Sequence, residues 1–270
     1  MMKPGLESQE MNTMKNPETL KGKVIWITGA SQGIGRQLAL AAAKRGGTVV
    51  ATARSYGNLD RLQHETQGLE GIVIPMPADV TDQDAIIRAA DEIMTRFGRV
   101  DIAVLNAGTF IKTDGVDFRS TDMRKHLELN VMGVCHCLDA LIPMMVGQQS
   151  GTIAINASLA GYRGLPGAAA YGASKAALIN MAESLYSDLK PHGVEVKVIS
   201  PGFVKTPLTD KNTFKMPFLM EVESAADAIL SGLDSQHFEI RFPKTFGMIM
   251  GFLRILPYKA YFSVTRRLNQ

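Results

Sequence analysis

Tyr171 and Lys175 stand four residues apart in Tyr171-Gly172-Ala173-Ser174-Lys175, and Ser158 lies 13 residues before the tyrosine. Four residues are one helical turn, so the phenol and the ammonium point the same way. A fixed ammonium stabilises a phenolate, and the pairing is expected to lower the tyrosine's pKa toward the range useful for general acid–base catalysis. The Ser158 hydroxyl adds a group that can hold a carbonyl oxygen while the phenol supplies a proton. Tyr-x-x-x-Lys alone also arises from plain helix-surface pairing. Its weight here comes from a Gly-rich segment near the start of the chain.

That segment reads Val24-Ile25-Trp26-Ile27-Thr28-Gly29-Ala30-Ser31-Gln32-Gly33-Ile34-Gly35-Arg36, and a good helix former, Gln37-Leu38-Ala39-Leu40-Ala41-Ala42-Ala43, follows it. An apolar strand, a Gly-rich turn and a helix start form the pyrophosphate-receiving unit of nucleotide folds, whose helix N-terminus presents backbone N–H groups. The glycines are spaced G-x-x-x-G-x-G rather than G-x-G-x-x-G. At the end of the next apolar run, Val50-Ala51-Thr52-Ala53-Arg54-Ser55, no acid accepts ribose hydroxyls, and the next one is Asp60. The planar fork of Arg54 suits a 2′-phosphate instead, with Ser55 as a neutral partner.

Elements must hold these residues in one place. Near-continuous apolar runs at 24–28, 48–52, 72–76, 102–105, 152–156, 194–200 and 238–241 read as parallel strands covered on both faces. Helical patterns at 82–97, 121–145, 170–190 and 224–233 fall between them, with Thr81 as the expected N-cap of the first. The alternation predicts a doubly wound Rossmann-type α/β fold, a parallel sheet of about seven strands with its ligand crevice at the strands' carboxyl ends. The motif residues fall at those ends or on the two helices bordering them.

With these motifs in order, residues 21–241 resemble the short-chain dehydrogenase/reductase family in its compact single-domain form. The resemblance implies a cofactor turn at Gly29, Ser31, Gln32, Gly33, Ile34 and Gly35, and an adenine-side pair at Asp79 and Val80. Asn106, Ala107 and Gly108 match the Asn-Ala-Gly closing the fourth strand, with Leu105 where the family often has another Asn. Pro201, Gly202, Val204 and Thr206 match the turn that holds the nicotinamide amide and phosphates. Asn130, Ser158, Tyr171 and Lys175 match a catalytic tetrad. In it Tyr171 exchanges the proton, Lys175 also bonds the nicotinamide ribose, and Asn130 holds a water linking Lys175 to solvent. Together with Arg54 and Ser55 this implies an NADP(H)-dependent carbonyl reductase or alcohol dehydrogenase, with NAD(H) the lesser expectation. The other readings are a nucleotide-binding relative without catalysis and a 3-oxoacyl carrier-protein reductase. The stretch after the Pro-Gly turn is expected to cover the site, and Phe110, Leu159, Tyr162, Leu165, Phe214 and Phe218 are candidate walls of an apolar substrate pocket. A homo-oligomer, a dimer or a tetramer, with dimerisation through the two long helices, is implied too.

The remaining properties set bounds. With 270 residues, 46% hydrophobic and 20% charged, the chain suits one globular core. Residues 1–20 read as a polar tail, 21–242 as the catalytic domain and 243–270 as its helical extension. Cys135 and Cys137, two apart on a helix, face different ways and fit a reducing, cytoplasmic setting. The histidines lack metal-ligand spacing, and no metal is expected. No uninterrupted apolar run of membrane-spanning length is read. Of 29 basic residues five, Lys244, Arg254, Lys259, Arg266 and Arg267, lie beyond residue 242 with no acid, so this segment creates the net charge of +3. Interleaved with Phe246, Met248, Ile249, Met250, Phe252, Leu253, Ile255 and Leu256, these charges do not fit a nucleic-acid groove. The segment is expected to pack on the body or an oligomer, to lie on a membrane surface, or to wall the pocket. A hydrophobic, lipid-like carbonyl compound is the expected substrate.

Overall fold

The unbroken apolar runs form seven strands in the computed structural model, which describes residues 19–113, 115–210 and 216–266. These are β1 (Val24–Thr28), β2 (Thr48–Ala53), β3 (Ile72–Pro77), β4 (Ile102–Leu105), β5 (Gly151–Asn156), β6 (Val194–Pro201) and β7 (Glu239–Phe242). All pair in parallel in one sheet ordered β3-β2-β1-β4-β5-β6-β7. Successive side chains alternate between faces, so β1 divides its residues between two cores. Val24 and Trp26 join one with Ile86, Ile93, Leu141 and Leu178. Ile25 and Ile27 join the other with Leu38, Leu59 and Ile229. Trp26 is fully buried, and its Nε1–H donates to Thr52 Oγ1 at 2.8 Å, which removes the cost of burying the indole polar atom.

Helices cover both faces: α1 (Gly33–Lys44), α2 (Tyr56–Glu65), α3 (Gln83–Phe97), α4 (Ser120–His126), α5 (Gly133–Gln148), α6 (Ala169–Leu189) and α7 (Val222–Leu233). The strand order reverses between β1 and β4, and a crevice opens there beyond their carboxyl ends.

Two expectations need correction. The N-cap of α3 is Asp82, which accepts from Ala85 N at 2.9 Å, and not Thr81. Asp79 Oδ1 has taken both the Thr81 N–H and its hydroxyl, at 3.0 and 2.9 Å. The helix expected over 121–145 is not uniform, because a π-helical turn at Leu127–Met132 joins α4 to α5. Such insertions re-aim side chains and recur at functional sites. The stretch Ser120–Gln148 also has the length to cross a bilayer and contains an 18-residue window of mean hydropathy 1.6. Here its inner stripe of Val134, Cys137, Leu138, Leu141 and Met145 packs into the sheet core.

Beyond β7 the chain forms α8 (Lys244–Ile255) and α9 (Tyr258–Arg266). Met250, Leu253 and Tyr261 bury themselves against Leu159, with Tyr162, Leu165, Phe246 and Leu256 alongside. Arg163 fastens this layer. Its Nη1 donates to the carbonyls of Leu253, Arg254 and Leu256 at 2.8, 3.3 and 2.5 Å, and its guanidinium lies 4.0 Å from the Tyr261 ring centre. A cation on the open carbonyls of a helix C-terminus is favourable in both hydrogen bonding and dipole. The Tyr261 hydroxyl donates to Gly164 O. The segment therefore packs on the body through one face.

Candidate active site

The first turn of α1 follows Gln32, which makes no side-chain cap, and contains no acid. Its N–H groups therefore face the crevice without an internal anion. Glycine is required in the turn before it and again within that first helical turn. Gly29 has φ +67°, and a Cβ there would sit 2.8 Å from Ala107 Cα. A Cβ on Gly35 would sit 2.5 Å from Asn106 Nδ2. That amide donates to Thr28 O and Gly29 O at 3.1 and 3.3 Å, so Asn106 ties the end of β4 to the turn. The crevice is lined by Gly29, Ser31, Gln32, Gly33 and Ile34, then by Arg54, Ser55, Asp79 and Val80 along one side. Asn106, Ala107, Gly108, Pro201, Gly202, Val204 and Thr206 complete the lining, with Ser158, Tyr171 and Lys175 at the far end. Gly35 and Asn130 support the site from behind rather than line it.

At the open end the Arg54 side chain is 78% exposed and its Nη1 lies 4.0 Å from Asp79 Oδ2. Asp60 does not line the crevice and lies 3.6 Å from His64 Nε2.

At the closed end, β5 delivers Ser158 just past its last residue, and α6 delivers Tyr171 and Lys175 one turn apart. The Ser158 Oγ accepts from Ala160 N at 3.1 Å and donates to Pro201 O at 3.4 Å. Lys175 is 4% exposed, and its Nζ donates to Asn156 O at 2.7 Å. Burial pushes the lysine down to about 8. The expected lowering of the tyrosine does not appear. Burial pushes the phenol upward, the Ser158 hydroxyl works against that, and the net direction is up. The ammonium lies 5.7 Å from the Tyr171 ring centre, over the ring. Desolvation of the phenolate outweighs what a neighbour placed there supplies.

Asn130, on the π-helical turn, is wholly buried. Its Oδ1 accepts from Thr109 N at 2.8 Å, and its Nδ2 donates to Thr109 O and Ser174 Oγ at 3.1 and 3.0 Å. The amide thus clamps the loop after β4 beside Lys175. His126 makes a second clamp, with Nε2 accepting from Ile111 N at 3.1 Å and Nδ1 against Asp122 O at 2.7 Å.

The candidate substrate walls separate. Phe110 packs edge-on against Tyr171, with ring centres 5.2 Å apart. Phe218, at φ +58°, stacks on Phe246 of α8 at 5.8 Å. None of these five candidate walls, Phe110, Phe218, Leu159, Tyr162 or Leu165, lines the crevice, and the C-terminal helices sit on the last three. The Tyr162 hydroxyl donates instead to Glu239 Oε1 at 2.5 Å, and burial with that carboxylate pushes the phenol up to about 12. Phe214 lies outside the described residues.

Sequence reasoning passed over Asn156. Its Nδ2 donates to Asn106 Oδ1 at 2.8 Å, its carbonyl receives Lys175, and its Oδ1 is buried without a partner beside the crevice. The signal was its place at the end of a strand, two residues before Ser158. Thr109, Leu208 and Thr209 also line the crevice and were passed over, because they sit in loops without a pattern of their own. Among the described residues no group of three or more His, Cys, Asp or Glu could hold a metal ion.

A glycine cradle that any Cβ would fill, an uncapped helix N-terminus and an orphaned buried oxygen fit a dinucleotide with its pyrophosphate on α1. Comparison with known proteins agrees. Residues 23–216 match the model of the short chain dehydrogenase family. An uncharacterized oxidoreductase of Myxococcus xanthus is 39% identical over 90% of this chain and 96% of its own. A 3-oxoacyl-(acyl-carrier-protein) reductase of Thermotoga maritima is 37% identical over 71% of this chain and 78% of its own. Among solved structures, a 7α-hydroxysteroid dehydrogenase complexed with NADH and 7-oxo glycochenodeoxycholic acid aligns with TM-score 0.73 at 29% identity, covering 78% and 87% of the two chains. Fold, crevice and relatives lead to one conclusion: the chain is an oxidoreductase of the short-chain dehydrogenase family.

Proposed function

We propose that the protein is an NADP(H)-dependent reductase of hydrophobic, lipid-like ketones, working through Ser158, Tyr171 and Lys175. The observation that carries this reading is the meeting of those three side chains at one end of a crevice whose other end presents Arg54, with the nearby Asp79 engaged by Thr81. When bound, the nicotinamide supplies the hydride.

The chain's own residues handle the proton and the charge. Ser158 Oγ and the Tyr171 hydroxyl, both on the crevice lining, hold the substrate oxygen. The raised phenol keeps its proton at neutral pH, which suits an acid that gives it up only to a developing alkoxide. Lys175, pushed down to about 8 and still charged at pH 7, favours the phenolate left behind. Asn130 has its amide committed to Thr109 and Ser174, so its part is to fix Gly108 and Thr109 beside the ammonium. The water expected between Asn130 and Lys175 stays within the proposal as the route that returns the proton.

Arg54 supports NADP(H), since its fork pairs with a phosphate and cannot accept ribose hydroxyls. The aromatic stack of Phe203, Phe246 and Phe218, set against Gly202 of the crevice lining, supports an apolar substrate. The named relatives act on or bind a 3-oxoacyl group and a 7-oxo steroid, both ketones on lipid skeletons. Dimerisation through α5 and α6 is part of the same reading.

The test is oxidation of NADPH and of NADH with 3-keto lipids, oxo-steroids and small aldehydes, with Tyr171→Phe alongside. Turnover selective for NADPH that falls ~10²–10⁴-fold in the variant is expected. Preference for NADH overturns the cofactor reading. Undiminished turnover in Tyr171→Phe overturns the mechanism.

A further inference from the structure

The two C-terminal helices bury one face and leave the other bare. Inward, Met250, Leu253 and Tyr261 pack on the loop after Ser158. Outward, Met248, Phe252 and Ile255 repeat at helical spacing along α8, and Tyr258 and Phe262 extend the stripe onto α9. Phe252 is 61% and Ile255 77% exposed, whereas isolated surface residues of this kind rarely form a stripe. Lys244, Lys259 and Arg266 are exposed on the same two helices, and no ion pair joins them to a carboxylate among the described residues. The segment from 243 to 270 holds no acid at all.

We propose that this face docks on an anionic lipid bilayer. An apolar stripe with aromatic ends and basic residues beside it is what an interfacial helix presents: the apolar side chains enter the acyl boundary and the bases meet the headgroups. Charge decides against a second copy of the chain. A two-fold contact through this face sets its bases against the same bases, with no acid on the segment to answer them. The face also adjoins the crevice, because Phe246 of α8 rests on Gly202 of its lining. Phe246 stacks on Phe203 at 5.7 Å and on Phe218 at 5.8 Å, and exposed Leu219 adjoins Phe218. Docked this way, the protein holds the Gly202 side of its crevice near the bilayer. That orientation would feed the lipid-like ketone read above, while the docking itself does not depend on the reaction.

Flotation of the full chain with vesicles tests it, using phosphatidylcholine alone and phosphatidylcholine mixed with phosphatidylglycerol, at low and high salt. Binding to the anionic vesicles that weakens with salt is expected, with little on phosphatidylcholine alone. Lys244→Gln with Lys259→Gln should lower partitioning ~25-fold, at about fivefold per charge. Phe252→Ser with Ile255→Ser should lower it at least about tenfold. Both variants should keep the melting temperature and the turnover of a small soluble carbonyl compound, which separates lost docking from lost folding or lost chemistry. The proposal is overturned if the chain does not float with anionic vesicles or if neither double variant changes flotation. It is also overturned if Phe252→Ser with Ile255→Ser lowers the oligomeric mass, which would make the face an interface between copies.

Discussion

Replacing Lys175 by methionine is expected to stabilise the fold while ending catalysis. The lysine is 4% exposed, and burial lowers its pKa from 10.5 to about 8. At ~1.4 kcal/mol per pH unit, that displacement makes the charged form about 3 kcal/mol costlier in the folded chain than in the unfolded one. Below pH 8 the amine is charged in both states, so the whole cost is present. Between pH 8 and 10.5 the unfolded chain holds a proton that the folded chain has released. Stability therefore rises with pH across that window, and above it the cost is gone. Methionine keeps the packing of the aliphatic stem but loses the hydrogen bond to Asn156 O, a loss of ~1 kcal/mol. The net gain at pH 7 is about 2 kcal/mol, or roughly 4–8 °C in melting temperature for a chain of this size. Melting curves of both proteins at pH 7, 8.5 and 10 provide the assay. The advantage of the variant should shrink with pH and reverse slightly near pH 10. A variant that melts lower at pH 7, or a difference that does not change with pH, would refute the reasoning that burial governs this amine.

Arg54→Asp should cost NADPH ~10–100-fold in KM, the worth of a charge-assisted pair, and bring NADH forward; unchanged selectivity in initial-rate kinetics would count against Arg54 as the phosphate partner. Gly35→Ala drives a methyl to 2.5 Å from Asn106 Nδ2, so it should destabilise by about 1–3 kcal/mol and weaken dinucleotide binding, read by denaturant melts and by quenching of Trp26 fluorescence on titration. Arg163→Ala removes the donor to three carbonyls of the α8 end. Cleavage by trypsin at Arg254 and Lys259 should then speed up well before the core melts, and an unchanged digestion rate would show that the apolar contacts alone hold the helices.

The sheet and the cofactor side were legible because their signals are local. Each strand is a short apolar run, and Gly29, Gly33 and Gly35 announce a turn that other residues cannot make. The features that escaped belong to three dimensions. Thr81 and Asp82 are both good caps, and only the position of Asp79 decides between them. The π-helical turn adds one residue to a helix whose periodicity is otherwise continuous, a displacement too small to read at Leu127–Met132. The expected lowering of Tyr171 followed from one neighbour, whereas burial, a property of the whole crevice, set the direction. α8 is apolar on two sides, so its sequence did not say which face would cover Leu159, Tyr162 and Leu165 and which would remain outside.

Gly202 has a consequence for how such a protein can change over time. It closes the cofactor side of the crevice, and Phe246 of α8 rests on it so closely that a Cβ would fall 2.7 Å from the ring. The two halves of the protein meet at this point. The half that binds the dinucleotide is fixed by glycines and strand ends, while the half above Ser158 is built from a separable stretch after β7. A new C-terminal stretch can be tried by recombination without disturbing the hydride chemistry, provided that it brings one flat side chain to lie on Gly202. Ser158, Tyr171 and Lys175 lie outside that stretch and stay where they are.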